Sequence, residues 1–269
     1  MIKDITIGQY FPGKSLIHRL DPRIKLLLTA LYIVMLFTAK RFSGLAAGVL
    51  FLLISFILSG IPLRMMLKSI KPILPIIIFT GILNLFFITS GEVIFSWWII
   101  KITDGGLSTM IFMAVRIILL ICGTSLLTYT TSPITLTDAI ERILSPLKVI
   151  KFPAHEIAMM MTIALRFIPT LIEETDKIMS AQKARGADMD SGNLIKRAKA
   201  LIPILIPLFV SAFRRAEELA LAMECRCYRG GEGRTRLRQL KAGLRDYIAV
   251  AIAVAFIVAI ILLNRFSPI

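Results

Sequence analysis

Residues 248–263 read Ile-Ala-Val-Ala-Ile-Ala-Val-Ala-Phe-Ile-Val-Ala-Ile-Ile-Leu-Leu, without one polar side chain. Extended to Leu244–Asn264, the stretch reaches the roughly 20 residues a helix needs to cross a hydrocarbon core. Four further apolar runs precede it: Ile24–Ala39, Phe42–Ile61, Pro72–Ser90 and Leu107–Thr130. The first is short and reaches full width by tilt or by snorkelling of Arg23 and Lys40. The chain of 269 residues is 57% hydrophobic and only 18% charged, with a mean hydropathy of +0.79. A soluble domain runs at about 45–50% apolar and about 25% charged. An ordinary soluble enzyme, a disordered chain and a secreted disulfide scaffold are therefore excluded. The three cysteines, Cys122, Cys225 and Cys227, are too few and odd in number for a disulfide framework. Residues 1–23 are polar and lack a cleavage site of small residues, so no cleavable signal peptide is expected there.

The net charge of +15 sits oddly with this hydrophobicity until the cations are placed. Lys and Arg in short loops mark the cytoplasmic side. With the N-terminus inside and the C-terminus outside, 27 of the 32 cations fall on the cytoplasmic side. Four fall outside (Lys40, Arg41, Lys101 and Arg265), and Arg116 lies within a span. The expected localisation is the cell membrane. The expected division is 1–130 for the N-terminal segment and spans one to four, 131–243 for a cytoplasmic segment, and 244–269 for the last span.

Segment 131–243 holds 18 basic and 12 acidic residues around apolar stretches too short to cross a bilayer. Thr137–Leu144 reads as a short helix stopped by Pro146. Ala154–Arg185 reads as a long helix bent near Pro169, since Ile157, Met161, Leu165, Ile168, Ile172 and Met179 form one helical stripe. Gly186 ends it. Leu194–Tyr228 follows, with Pro203 and Pro207 near its start. Its apolar run Leu201–Phe213 is expected to lie half-buried against the membrane face. The fold class is all-α: a multi-pass membrane protein with about five transmembrane helices and a domain of long amphipathic helices on the cytoplasmic face. Their apolar surface calls for a protein partner.

Gly8–Ser15 matches the phosphate-binding pattern G-x-x-x-x-G-K-[ST] letter for letter. That mechanism needs a strand before the loop, small residues in it, and a helix opening behind it. Here Tyr10, Phe11 and Pro12 fill the loop, and Pro22 stops the chain soon afterwards, so a nucleotide site is not expected.

Two stretches repeat at an offset of 41: Ala181-Gln182-Lys183-Ala184-Arg185-Gly186 and Ala222-Met223-Glu224-Cys225-Arg226-Cys227. Each sets one Arg between small residues at the C-terminal end of a long helix. One reading is that the cation complements the helix dipole. The other is that a planar guanidinium reaches into a partner's groove; two such ends on adjacent helices favour docking. The C-x-C pair lacks the four ligands of a structural zinc site, so neither metal nor other cofactor is expected. Arg116 is read as structural, bonded to backbone carbonyls or to Asn84 of the third span, with a partner contact as the alternative. Trp97 and Trp98, in a short outer loop from Gly91 to Gly106, read as an interfacial anchor.

Pro12-Gly13-Lys14-Ser15-Leu16-Ile17-His18-Arg19-Leu20-Asp21-Pro22-Arg23 resembles the opening signature of the transmembrane T component of energy-coupling factor transporters. Arg166–Glu174, Ala184-Arg185-Gly186, Ala222-Met223-Glu224 and Gly230–Thr235 are similar to that family in the same order. The resemblance implies a non-enzymatic scaffold joining two ATP-binding-cassette ATPases to a small substrate-binding membrane (S) subunit for a vitamin or micronutrient. It implies that Ala184, Arg185 and Gly186, and Cys225, Arg226 and Cys227, dock on the ATPases. Cys stands in the second triplet where the family has Ala and Gly. Cys enters left-handed backbone less readily than Gly, so that helix end is expected to differ. The lipid bilayer is a partner and nucleic acid is not. The rival class is an autonomous secondary transporter or channel. Its usual marks are ionisable residues inside the membrane or inverted repeats.

Overall fold

A computed structural model describes residues 10–88, 90, 92–97, 100–187, 193–230, 240 and 242–266. The chain forms two compact units, one of residues 8–136 and 239–269, the other of 1–7 and 137–238.

In the first unit, α1 (Pro22–Thr38), α2 (Phe42–Ser59), α5 (Asp104–Thr130) and α9 (Leu244–Phe266) pack together. Asp21 caps α1 and Pro22 opens it, the pairing expected at a helix start. Gly60, at φ +68, lets α2 end in a left-handed turn. Then come α3 (Leu63–Ile70), one turn of 3-10 helix and α4 (Leu74–Phe87), which packs on α5. The core holds Met35, Leu36, Cys122 and Ile260, each at most 1% exposed. Tyr32 stacks on Phe51 at 5.8 Å between ring centroids, and Phe51 meets Phe256 edge-on at 5.3 Å. The Tyr32 hydroxyl donates to the Leu119 carbonyl (3.0 Å). Outward the helices are apolar too, with Phe37, Ile57 and Phe87 61–81% exposed. Apolar residues on both sides of a helix are the signature of a bundle facing lipid.

Two details differ from the sequence reading. The segment after α4, expected as a loop, contains an antiparallel hairpin of β1 (Val93–Trp97) and β2 (Ile100–Thr103). Its β-branched and aromatic residues suit a strand better than a loop. Trp97 lies on β1, and Trp98 lies outside the described residues. Among the described residues, five helices are long and apolar enough to cross a membrane: α2, α3 with α4, α5, α7 (Ala154–Ala184) and α9. The number agrees with the expectation, but the membership does not. The 17 residues of α1 reach only about 26 Å, and the 31 residues of α7 qualify by length and composition although its segment was read as non-spanning.

The second unit holds most of α6 (Pro133–Leu144), a 3-10 segment (Ser145–Ile150), α7 and α8 (Leu194–Cys225). His155 on α7 bonds Glu141 on α6 through Nδ1 at 2.9 Å, with Ala139, Ala154 and Ala158 buried beside them. Pro169 sits inside α7 and Pro203 and Pro207 inside α8 without ending either helix. A mid-helix proline removes the bond to the carbonyl four residues back. Pro207 thus frees the Pro203 carbonyl, and Gln182 Nε2 of α7 approaches that oxygen at 3.5 Å.

Candidate functional site

The two repeated stretches close their helices in the same way. At the end of α7, Gly186 N–H donates to Lys183 O (3.0 Å) and Ala187 N–H to Gln182 O (3.0 Å). At the end of α8, Cys227 N–H donates to Glu224 O (2.8 Å) and Tyr228 N–H to Met223 O (3.0 Å). These are the paired bonds of the Schellman motif, in which the residue after the cap is left-handed. Gly186 has φ +84 and Cys227 φ +55. The expectation that Cys would alter the α8 end is therefore corrected, because Cys227 occupies the glycine conformation. Holding a side chain there costs about 1–2 kcal/mol.

Arg185 and Arg226 are the matching cap residues, both exposed, and Ala184, Gly186, Cys225 and Cys227 beside them are exposed too. The small neighbours leave each guanidinium clear. The helices run antiparallel. Glu174 accepts bonds from Ser211 and from Arg215 (3.0 Å), whereas eight residues further along α7, Gln182 meets Pro203, eight residues back along α8. Arg185 lies eleven residues beyond Glu174 and Arg226 fifteen beyond Ser211. At about 1.5 Å per residue the two caps stand about 40 Å apart, at opposite ends of the pair.

Arg116 lies near the middle of α5, level with the end of α1. It donates to the Ala39 carbonyl at the end of α1 and lies over the Phe112 ring, 4.6 Å from its centroid. Asn84 keeps to its own helix, donating to Thr80 O (2.9 Å). The Arg116–Asn84 bond offered as one alternative is absent, and the carbonyl alternative holds. Asn264 of α9 donates to Thr38 O (2.7 Å) at the same level.

The opposite end of the bundle carries a polar cluster that the sequence reading missed. Lys25 Nζ, on a residue 5% exposed, donates to His18 O (3.2 Å), Thr130 O (2.8 Å) and Thr131 Oγ1 (3.3 Å). Asp246 is 4% exposed and accepts Asp21 N–H and Gly243 N–H, both at 2.8 Å. Arg23 pairs with Asp21 at 2.7 Å and donates to Leu240 O (3.1 Å). Lys25 and Ala39 are fourteen residues apart, as are Arg116 and Thr130. The two polar belts are thus about 21 Å apart along α1 and α5. The signal available in the sequence was Asp246 next to an unbroken apolar run; its partner lies 225 positions away.

The phosphate-loop match fails in the structure as well. His18 turns back into the loop, its Nδ1 2.6 Å from Ser15 Oγ and its Nε2 2.9 Å from Phe11 O. A Cβ at Gly13 would stand 2.7 Å from the ring. The imidazole occupies the concavity where a phosphate would sit. Gly8 and Gln9 lie outside the described residues.

Long apolar helices in a bundle, and a pair of long helices with exposed cationic ends, mark a multi-pass membrane protein. Residues 13–237 match the family model described as Cobalt transport protein (CbiQ). Along nearly its full length the chain is similar to the energy-coupling factor transporter transmembrane protein EcfT of Ruminiclostridium cellulolyticum, 57% identical over 264 residues and 98% of each chain. The proteins of the same name from Clostridium kluyveri and Thermosediminibacter oceani are 56% and 54% identical, over 98% of this chain and 98% and 99% of theirs. The chain belongs to this family of transmembrane components of energy-coupling factor transporters.

Proposed function

We propose that the chain is the energy-coupling scaffold of such a transporter. Arg185 and Arg226 each dock on one of two cytoplasmic ATP-binding-cassette ATPases, and ATP hydrolysis belongs to those subunits. The observation that carries this reading is the duplicated helix end: one hydrogen-bond pattern, one exposed cap Arg and small flanks, repeated at a spacing of about 40 Å. A small domain is about 30 Å across, so each end can seat on a separate subunit. A charged contact buried at an interface typically costs about 2–5 kcal/mol on truncation.

The apolar stripe of α8 supports a second docking surface. Leu201, Ile202, Leu205, Ile206, Phe209, Val210 and Phe213 are 46–69% exposed. Such a face fits a membrane-embedded partner, the small S subunit that captures a vitamin or micronutrient. The distribution of cations supports a reading with segment 131–243 and the N-terminus inside and the C-terminus outside, in the cell membrane. Tagging this chain and identifying the proteins that co-purify tests the reading. Two ATPases and a small membrane protein are expected; a chain purifying alone, and transporting alone in liposomes, would sink it.

A further inference from the structure

A cavity of about 330 Å³ lies between α1, α2, α5 and α9. Its wall is apolar from Ile248 to Phe256 along α9. Ile54, Leu58, Ile248 and Ile252 on its lining are 42–51% exposed, so it opens on the side of the bundle. One end is cationic. Lys25 and Arg245 line it there, with the buried carboxylates of Asp21 and Asp246 acting on Lys25 from beside the cavity.

We propose that this cavity holds one acyl chain of an anionic phospholipid, with the phosphate against Arg245. Depth is the first argument. Arg245 and Phe256 are eleven residues apart, about 16 Å of helix, which is one leaflet of a hydrocarbon core about 30 Å thick. The lining is the second: away from its polar end it is built of Leu28, Leu52, Leu127, Ile252 and Phe256, the chemistry that suits an acyl chain. Charge is the third. The three donor positions of Lys25 are occupied by His18, Thr130 and Thr131, and Asp21 and Asp246 offset its charge, so the headgroup contact falls to Arg245. Arg245 is exposed and, among the described residues, makes no hydrogen bond or ion pair. It sits in the first turn of α9, the depth at which basic residues between membrane helices meet lipid headgroups. Along the Ile248–Phe256 wall the cavity has nothing to offer water.

Native mass spectrometry of the full chain, titrated with palmitoyl-oleoyl phosphatidylglycerol or the phosphatidylcholine of the same chains, tests this. One phosphatidylglycerol should be retained in preference to phosphatidylcholine. Arg245→Gln should weaken phosphatidylglycerol about fivefold, the loss expected for one cation at an anionic lipid surface, and leave phosphatidylcholine unchanged. Ala249→Phe, which fills the cavity, should weaken both lipids, whereas Arg245→Lys should keep the preference. Unfolding midpoints equal to that of the unsubstituted chain establish that the variants are folded. Three results would overturn the proposal. They are equal retention of the two lipids, displacement of phosphatidylglycerol by inorganic phosphate with Ala249→Phe silent, and capture of a protein segment rather than lipid by a photoreactive residue at 249 in the assembled complex.

Discussion

Gly186 and Cys227, 41 residues apart, occupy the same position after two helix ends, both at positive φ. Each donates its N–H three residues back, and its successor donates five residues back. The chain thus builds one cap twice, once with the residue suited to it and once with a residue that resists it. What the two ends share is the arginine immediately before, held exposed at the tip of a long helix.

Cys227→Gly should stabilise the α8 end by about 1 kcal/mol, because glycine enters the left-handed region without a Cβ penalty and gives part of that back as unfolded-state entropy. Gly186→Ala should destabilise the α7 end by a similar amount. Hydrogen exchange of the last-turn amides reads both effects. Faster exchange at Tyr228 in the Cys227→Gly protein would contradict the assignment.

Asp246→Ala should cost about 2–4 kcal/mol, since it strands the buried Asp21 N–H at about 1–3 kcal/mol and removes the acceptor of the exposed Gly243 N–H ahead of α9 at about 1 kcal/mol. Asp246→Asn retains one acceptor and should lose about half as much. Denaturant unfolding in micelles separates the two. A neutral Asp246→Ala would mean that the cluster does not tie α9 to the start of α1.

Gly123→Ala places a Cβ 2.1 Å from the Tyr32 ring, whose hydroxyl is held by Leu119. Overpacking of this kind costs about 1–3 kcal/mol. Adding Tyr32→Leu should recover part of the loss, so the double variant is more stable than the sum of the singles. Additive losses would show that the two residues do not meet.

Much of the bundle was legible because lipid-facing helices need long apolar runs, and Phe42–Ser59 and Leu244–Phe266 have them. The two helix ends were legible as a repeat of small-Arg-small. Depth was not legible. Arg116 sits in the middle of α5, which is 27 residues long, whereas α1 has only 17, so Arg116 meets the end of α1. The Asp21–Asp246 tie joins positions 225 residues apart, which no periodicity reports. Cys227 enters left-handed backbone less readily than Gly, yet the α8 end closes with the same bonds as the α7 end. The hairpin at Val93–Thr103 was hidden because a run of eleven residues between two spans reads equally as a loop.

The chain alone should bind no nucleotide, and Lys14→Ala should change nothing in that assay, because the His18 ring already fills the loop around Gly13. Saturable nucleotide binding to the isolated chain that is lost with Lys14→Ala would reverse this.

The proposed anchoring of one ATPase by each of Arg185 and Arg226 is what couples this chain to ATP hydrolysis. Its most direct measurement is co-purification of the ATPases with the tagged chain, together with ATP-driven substrate uptake in proteoliposomes, for the Arg185→Ala, Arg226→Ala and double variants. Each single variant should weaken assembly, and the double variant should release both ATPases and abolish uptake while the chain stays folded. A double variant that retains the full complex and full uptake would contradict the account.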